Sequence, residues 1–137
     1  MININTLFSP SDNSGFKKAK CLGNINNIKS LKLNTICISV VKSCKKKSKF
    51  IKKSDIIKIL ITHTKLNNFN KYKNIKFYNN SAILLNKQSY NKYNQDEIIN
   101  KNNLKNTSNI KLIGIIPSLI MNNLSKFKVN LKKAIFI

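Results

Sequence analysis

Lysine supplies every one of the 26 basic residues in this chain of 137 residues, and only four acidic residues oppose them. The formal net charge is +22, whereas a small soluble domain ordinarily carries a net charge of magnitude about 2–8. Because like charges repel one another as a chain becomes compact, a fold with this charge needs a polyanion to neutralise it. Nucleic acid and an anionic membrane surface are the two classes of partner that this charge favours.

Hydrophobic residues still make up 42% of the chain, which is too much for a disordered basic tail. The length suits one domain with a core of its own, so we expect residues 1–137 to form a single domain. Lys, Asn and Ile together fill 72 positions, which indicates a very A+T-rich coding sequence. Codon bias explains the asparagines and isoleucines better than it explains the scarcity of acidic residues.

Short segments rich in β-branched residues alternate with polar connections, a pattern typical of a small closed or nearly closed β-barrel. Five or six strands are expected, and the apolar faces of residues 33–41 and 56–61 should lie in the core. The predicted strands are residues 1–8, 16–22, 33–41, 56–64 and 110–116, with two short extended pieces at 75–78 and 81–85 around Asn79 and Asn80.

The connections carry their own signals. Residues 9–15 are dense in turn formers, with Gly15 available for a positive φ. Residues 42–53 contain seven lysines and should form a solvated or ligand-facing loop. A low-complexity insertion is expected at about residues 87–109. Pro117 precedes residues 118–124, which suit a short helix, whereas residues 127–137 only mix lysine with apolar residues.

Catalytic and metal-binding patterns are missing, so we predict no enzyme, no metal and no cofactor. The sequence has no P-loop and no G-x-G-x-x-G, and the acidic pair Asp96 and Glu97 lies in the low-complexity segment. The single histidine, His63, is expected to be a strand residue rather than a ligand. The three cysteines form no C-x-x-C pair and are expected to be reduced thiols.

Membrane insertion is not expected, because no apolar stretch reaches 18 residues. The sequence lacks a secretory signal and an Arg-rich import sequence at its beginning, so a protein that works in an organelle would be made there. A basic peripheral membrane protein would need a longer amphipathic helix than residues 118–124 provide.

Nucleic-acid binding through phosphate is the function that the lysines favour. Lysine brings a point charge to phosphate and reads little sequence, so we expect recognition of RNA shape and backbone. The strongest candidates are the cluster at residues 42–53 and the lysines that follow Gly15. The predicted RNA-binding residues are Lys17, Lys18, Lys20, Lys42, Lys45, Lys46, Lys47, Lys49, Lys52 and Lys53, with Lys65, Lys76 and Lys111 as a second tier.

Five segments in order resemble the L-fourteen family of large-subunit ribosomal proteins. Residues 12–15, Asp-Asn-Ser-Gly, precede a basic strand that contains a cysteine, as in that family. Residues 35–42 resemble its hydrophobic strand, and residues 52–65 are similar to its Lys-Lys-Gly-Glu-Val-Val-Lys segment. Residues 76–85 resemble its Arg-Phe-Asp-Asp-Asn-Ala segment, and residues 111–114 its Arg-Ile-Phe-Gly. The resemblance covers about residues 1–86 and 109–137.

The sequence departs from the family pattern in three places. The Asp-Gly that usually precedes Phe77 is missing, and a short Gly-Asn-Pro loop has become the insertion at about residues 87–109. After Gly114 the Arg-Glu-Leu helix pattern is replaced by Ser118, Leu119 and Ile120.

The resemblance implies a mainly β fold, with a small five-stranded β-barrel and a short C-terminal helical segment. It implies a structural constituent of the large ribosomal subunit that binds large-subunit ribosomal RNA. The implied neighbours are the ribosomal proteins L-three and L-nineteen and, across the subunit interface, small-subunit ribosomal RNA through intersubunit bridges. A ribosome silencing factor is a further implied partner.

The A+T-rich coding signature favours a mitochondrial ribosome, with a relict plastid as the alternative location. An alternative function is a free-standing barrel that binds single-stranded RNA or DNA. That function would need aromatic side chains as stacking platforms on one exposed face of a sheet.

Overall fold

A computed structural model describes residues 2–25, 31–48, 51–65, 76–87, 110–127 and 129–137. These parts of the chain contain seven strands, a 3-10 helix and a short α-helix. In chain order they are β1 (Leu7–Pro10), β2 (Phe16–Asn24), β3 (Ile36–Cys44), β4 (Ile56–His63), β5 (Ser81–Lys87), β6 (Lys111–Ile116), the 3-10 helix (Ser118–Ile120), α1 (Met121–Leu124) and β7 (Asn130–Phe136).

Strands β1 to β5 form a closed barrel, and β6 and β7 form a separate two-stranded sheet. Neighbouring strands from β1 to β5 pair antiparallel, and the barrel closes where β1 pairs parallel with β5. The closing pairs are Ser9 with Ser81 and Pro10 with Ala82. The predicted five-stranded barrel with a short C-terminal helical segment is confirmed.

The core fills the barrel interior with the inward-facing side chains of the predicted strands. Cys37 and Val41 of β3 and Ile57 and Ile59 of β4 are completely buried, so the predicted core faces of residues 33–41 and 56–61 are confirmed. Burying a side chain of this size contributes about 1.5–3 kcal/mol each relative to leaving it exposed. This core offsets the repulsion among the lysines on the surface.

The C-terminal segment packs against the barrel at two places. The Ile113 amide donates to the Ser11 carbonyl, 3.0 Å away, which holds β6 against the chain that follows β1. Ile120 and Leu124 of the predicted helical segment are buried in the core. The Asn123 side-chain amide donates to Asn34 Oδ1 at 2.9 Å, so the helix lies beside the turn that leads into β3.

Strand β7 was not predicted, because its lysines and apolar residues show no clean alternation. It forms by parallel pairing with β6, which places Ile115 opposite Ile135 and Ile116 opposite Phe136. Parallel pairing across a helical connection is a non-local interaction, and a local sequence pattern does not show it.

Of the two extended pieces predicted around Asn79 and Asn80, the first, at residues 75–78, is wrong. Residues 76–80 are not strand, and β5 begins at Ser81. The side-chain Oδ1 of Asn80 instead accepts a hydrogen bond from the Lys65 amide at 2.9 Å. The backbone carbonyl of Asn80 accepts one from the Ser9 amide, also at 2.9 Å. The first strand is also shorter and later than the expected 1–8. Apart from Lys87, the insertion predicted at about residues 87–109 lies outside the described residues.

His63 joins the barrel to β6. Its Nε2–H donates to the Ile115 carbonyl at 2.7 Å, and its ring lies on Phe77 with the ring centroids 4.4 Å apart. Nδ1 faces the hydroxyls of Ser11 and Thr62 at 3.4 and 3.5 Å. Burial lowers the pKa of the imidazole below its ordinary value, and the hydrogen bond to Ile115 opposes this only in part.

The lowered pKa of His63 predicts that the protein loses stability on mild acidification. The unfolded imidazole takes up a proton near pH 6.5, before the folded one does. The free energy of unfolding should therefore be highest above about pH 6.5. It should fall as the pH drops from there towards the lower pKa of the folded state. Urea midpoints measured between pH 7 and 5.5 check this. His63→Gln, which removes the only histidine, should flatten the dependence in that window, and an unchanged slope would contradict the assignment.

Candidate nucleic-acid interface

The lysine loop, residues 45–55, connects β3 to β4 through two turns. The Ser48 amide donates to the Lys45 carbonyl at 3.1 Å, and the Lys52 amide donates to Asp55 Oδ2 at 2.7 Å. Between the turns Ile51 is only 1% exposed, so the loop is anchored in the core at its middle. The sequence predicted a solvated or ligand-facing loop at residues 42–53. Lys42 instead lies in β3, and Ile51 is buried among the described residues of that segment. Because the backbone is anchored, the Cα atoms of the lysines in this loop are held in fixed positions.

Gly15 holds the first turn of the lysine loop against the barrel. Its carbonyl accepts a hydrogen bond from the Lys45 amide at 2.8 Å. Its φ is +97°, as the sequence predicted, and a Cβ at this position would lie 2.8 Å from Ser48 Oγ. A side chain at residue 15 would be strained by its backbone conformation and would push the loop away. The glycine is therefore needed for the position of the lysines as well as for the turn.

Two consecutive lysines at the start of β2 both face solvent. Regular alternation would turn either Lys17 or Lys18 towards the core, yet both are exposed. The pairing of β2 with β3 is irregular here, with Phe16 opposite Cys44, Lys18 opposite Ser43 and Ala19 opposite Val41. An irregularity of this kind redirects side chains, and here it adds a second charge beside the end of β3.

The turn between β1 and β2 brings Lys111 to the same end of the barrel. Asn13 Oδ1 accepts a hydrogen bond from the Lys111 amide at 2.7 Å, and Asp12 forms an isolated bridge with Leu112. Lys111 is exposed where β6 begins. A residue that is nearly a hundred positions away in sequence therefore lies next to the turn that precedes Lys17.

We call the end of the barrel formed by these elements the lysine end. Antiparallel pairing places the start of β2, the end of β3 and the start of β4 there together. All of its predicted lysines that the structure describes are exposed. They are Lys17, Lys18, Lys42, Lys45, Lys46, Lys47, Lys52, Lys53 and Lys111.

The remaining predicted lysines lie elsewhere. Lys20 is half-buried in the middle of β2, between Leu7 on β1 and Val40 on β3. Lys65 and Lys76 are exposed near the opposite end of the barrel, where β4 ends and β5 begins. Lys49 lies outside the described residues. This division was not predictable from local sequence patterns, because it follows from which strand ends meet.

Asp12 holds the turn to the barrel, a role that sequence reasoning missed. Its Oδ2 accepts a hydrogen bond from the buried Leu84 amide at 2.6 Å, and its Oδ1 accepts from the amide and the hydroxyl of Ser14 at 3.0 and 2.5 Å. Burial raises the pKa of the Asp12 carboxyl, although these hydrogen bonds oppose the rise. The Asp-Asn-Ser-Gly segment therefore stabilises the fold through Asp12.

The chemistry of the lysine end is charge attraction. Among the described residues, no group of three or more His, Cys, Asp or Glu side chains is placed to hold a metal ion. The same part of the chain contains no helix that is long and apolar enough to cross a bilayer. Exposed ammonium groups on an anchored scaffold bind phosphate without reading bases.

Ser54 takes a backbone conformation that favours glycine, with a φ of +72° in the second turn of the lysine loop. A non-glycine residue in the left-handed region costs about 1–2 kcal/mol, part of which glycine recovers. Ser54→Gly should therefore raise the free energy of unfolding by about 0.5–1 kcal/mol. Urea unfolding measures this. The control is Ser118→Gly, at an exposed helical position without a positive φ, which should lower stability. A loss in both variants would contradict the prediction.

Comparisons with known proteins show the family to which this chain is similar. A family model described as Ribosomal protein L14p/L23e matches residues 1–116. A large ribosomal subunit protein uL14c of Euglena longa is 35% identical over 125 residues, covering 89% of this chain and 88% of that protein. The protein of the same name from Eimeria tenella is 36% identical over 88 residues, covering 64% of this chain and 73% of that protein. With a family model over most of its length and relatives at this identity, the chain belongs to the L14p/L23e family of ribosomal proteins.

Proposed function

We propose that the protein is a structural constituent of the large ribosomal subunit and that its lysine end binds phosphates of large-subunit ribosomal RNA. It is a ribosomal protein of the L14p/L23e family and not an enzyme. The observation that supports the RNA contact is the convergence of nine exposed lysines on one end of the barrel. We take residues 1–137 as one domain that carries the insertion at about 87–109.

The electrostatics of the lysine end support a polyanion as its ligand. The acidic residues described near it are Asp12, which is buried, and Asp55, whose carboxylate accepts a backbone hydrogen bond in the loop. These two carboxylates are too few to neutralise the nine exposed ammonium groups. Ribosomal RNA carries closely spaced phosphates. When a lysine neutralises a phosphate, condensed counterions are released, and this release favours binding.

The protein partners and the intersubunit bridges belong to the same proposal. Ribosomal proteins L-three and L-nineteen, small-subunit ribosomal RNA and a ribosome silencing factor are the expected neighbours. The outer face of β6 and β7 supports a protein neighbour, because Ile113, Ile115 and Ile135 are 48%, 51% and 63% exposed there. Apolar side chains grouped on an exposed face favour contact with another protein.

The relatives favour a plastid ribosome over a mitochondrial one. The proteins from Eimeria tenella and Euglena longa both carry the plastid form of the name, uL14c. The A+T-rich coding signature is compatible with either organelle, although from the sequence alone the mitochondrion was preferred. We therefore propose a plastid-type organellar ribosome as the location, with the mitochondrion as the alternative.

The test is sedimentation of organelle lysates after a wash at high salt, with the chain detected by mass spectrometry. The protein should remain with the large subunit in the fraction that contains plastid ribosomal RNA. Recovery with mitochondrial ribosomal RNA would change the organelle and leave the function intact. Recovery only in the free protein fraction would contradict a structural role in the subunit.

A further inference from the structure

Tyr78 is the most exposed large side chain with apolar character in the described part of the chain, with 93% of its surface accessible. It lies in the loop at residues 76–80, which precedes β5 at the end of the barrel opposite the lysine end. Two exposed lysines belong to the same region, Lys76 in this loop and Lys65 just after β4. Because its ring is exposed to water, Tyr78 does not contribute to the core.

The residues on either side of Tyr78 are fixed to the barrel. Phe77 lies on the His63 ring, with the ring centroids 4.4 Å apart and the ring planes inclined by 43°. Asn80 accepts a hydrogen bond from the Lys65 amide through its side chain, and one from the Ser9 amide through its carbonyl, both at 2.9 Å. These contacts also bring Lys65 to the loop. Tyr78 is thus presented on an anchored backbone, which lowers the entropy lost when a ligand binds.

The surroundings of Tyr78 favour a nucleic acid over a protein. Its exposed neighbours in the loop are Lys76 and Asn79, which are cationic and polar, rather than the apolar residues that surround a protein-binding aromatic. Unpaired bases stack on aromatic rings, and lysines beside the ring bind the flanking phosphates. A tyrosine ring loses little conformational freedom on stacking, because it has few rotatable bonds.

We propose that Tyr78 stacks on an unpaired RNA base while Lys65 and Lys76 bind the neighbouring phosphates. The inference rests on the proposed function and adds a second, chemically different RNA site to it. Strand β4 runs from the lysine loop to this site and spans roughly 23 Å along its length, at about 3.3 Å for each of its seven residue steps. The barrel then bridges backbone phosphates at one end and a single-stranded base at the other.

The test uses two RNA probes of equal length and charge, an oligouridine and the same strand with abasic positions. The wild-type protein should bind the oligouridine about 5- to 150-fold more tightly than the abasic strand, the range typical of stacking one base on an aromatic ring. Tyr78→Ala should remove this preference, and Tyr78→Phe should keep it. Equal preference in the wild type and Tyr78→Ala would overturn the proposal, as would an equal loss of affinity for both strands.

A second variant separates failure of this inference from failure of the proposed function. Replacing Lys45, Lys46 and Lys47 by Gln should weaken binding to both strands and leave the preference for bases unchanged. If that variant loses affinity while Tyr78→Ala changes nothing, the Tyr78 site is wrong and the lysine end stands. If Tyr78→Ala binds RNA normally but leaves the subunit during a salt wash, its partner is a protein, and the proposal is overturned.

Discussion

Replacing Lys45, Lys46 and Lys47 together by Gln should weaken binding to a large-subunit ribosomal RNA fragment by about 10²–10³-fold at 0.1 M salt. The loss should nearly vanish at 1 M salt, because the missing energy is that of counterion release. The slope of log affinity against log salt should become shallower by about 2–3, at roughly 0.7–0.9 for each lost phosphate contact. Filter-binding titrations at several salt concentrations measure both quantities.

The matched control for this variant is Lys126→Gln with Lys132→Gln and Lys133→Gln. These lysines are also exposed, but they lie in the C-terminal segment rather than in the lysine loop, and Lys133 is paired with Ile113 of β6. Both variants change the net charge by the same amount, so long-range attraction falls equally in the two. Equal losses of affinity would show that net charge alone drives binding and would contradict a localised site. A wild-type affinity that responds little to salt would contradict phosphate binding altogether.

Asp12→Ala should lower the free energy of unfolding by about 2–4 kcal/mol. The change leaves the buried Leu84 amide without its acceptor and frees both hydrogen bonds of Ser14. An unsatisfied buried donor costs about 1–3 kcal/mol. The same change also removes the hydrogen bond that connects the turn to β5. Urea unfolding followed by circular dichroism measures the change.

Asp55→Ala is the control for Asp12, because it removes the same charge from a half-buried turn. Asp55 accepts a hydrogen bond from the Lys52 amide, and its loss should cost about 1 kcal/mol. The difference between the two variants isolates the effect of burial. If both variants lose the same stability, Asp12 contributes charge alone, and its role in holding the turn to the barrel is wrong.

The strands with regular local patterns were predictable from the sequence. Both predicted strands are rich in β-branched residues. Residues 56–64 match β4 closely, whereas residues 33–41 overlap β3, which begins and ends three residues later. Gly15 was predicted to have a positive φ, and Pro117 was predicted to precede a helical segment. Such features depend on neighbours in sequence, so periodicity and turn chemistry report them directly.

Features that depend on distant partners were not predictable. Strand β7 exists because β6 pairs with it, and residues 76–80 stay out of the sheet because Asn80 bonds to Ser9 and Lys65. The role of Asp12 depends on an amide 72 positions away. Single-sequence reasoning has no access to these contacts, since tertiary pairing overrides local preference.

The charge, the β-rich class and the proposal of phosphate as ligand follow from the amino-acid sequence, because composition and local periodicity are properties of the chain alone. The tertiary structure decided which lysines lie together. Lys17, Lys46 and Lys111 share one end of the barrel because the β2–β3 pairing and the Asn13–Lys111 bond bring their backbones there. Lys65 and Lys76 lie at the other end, because a strand carries the chain across the barrel before it reaches them.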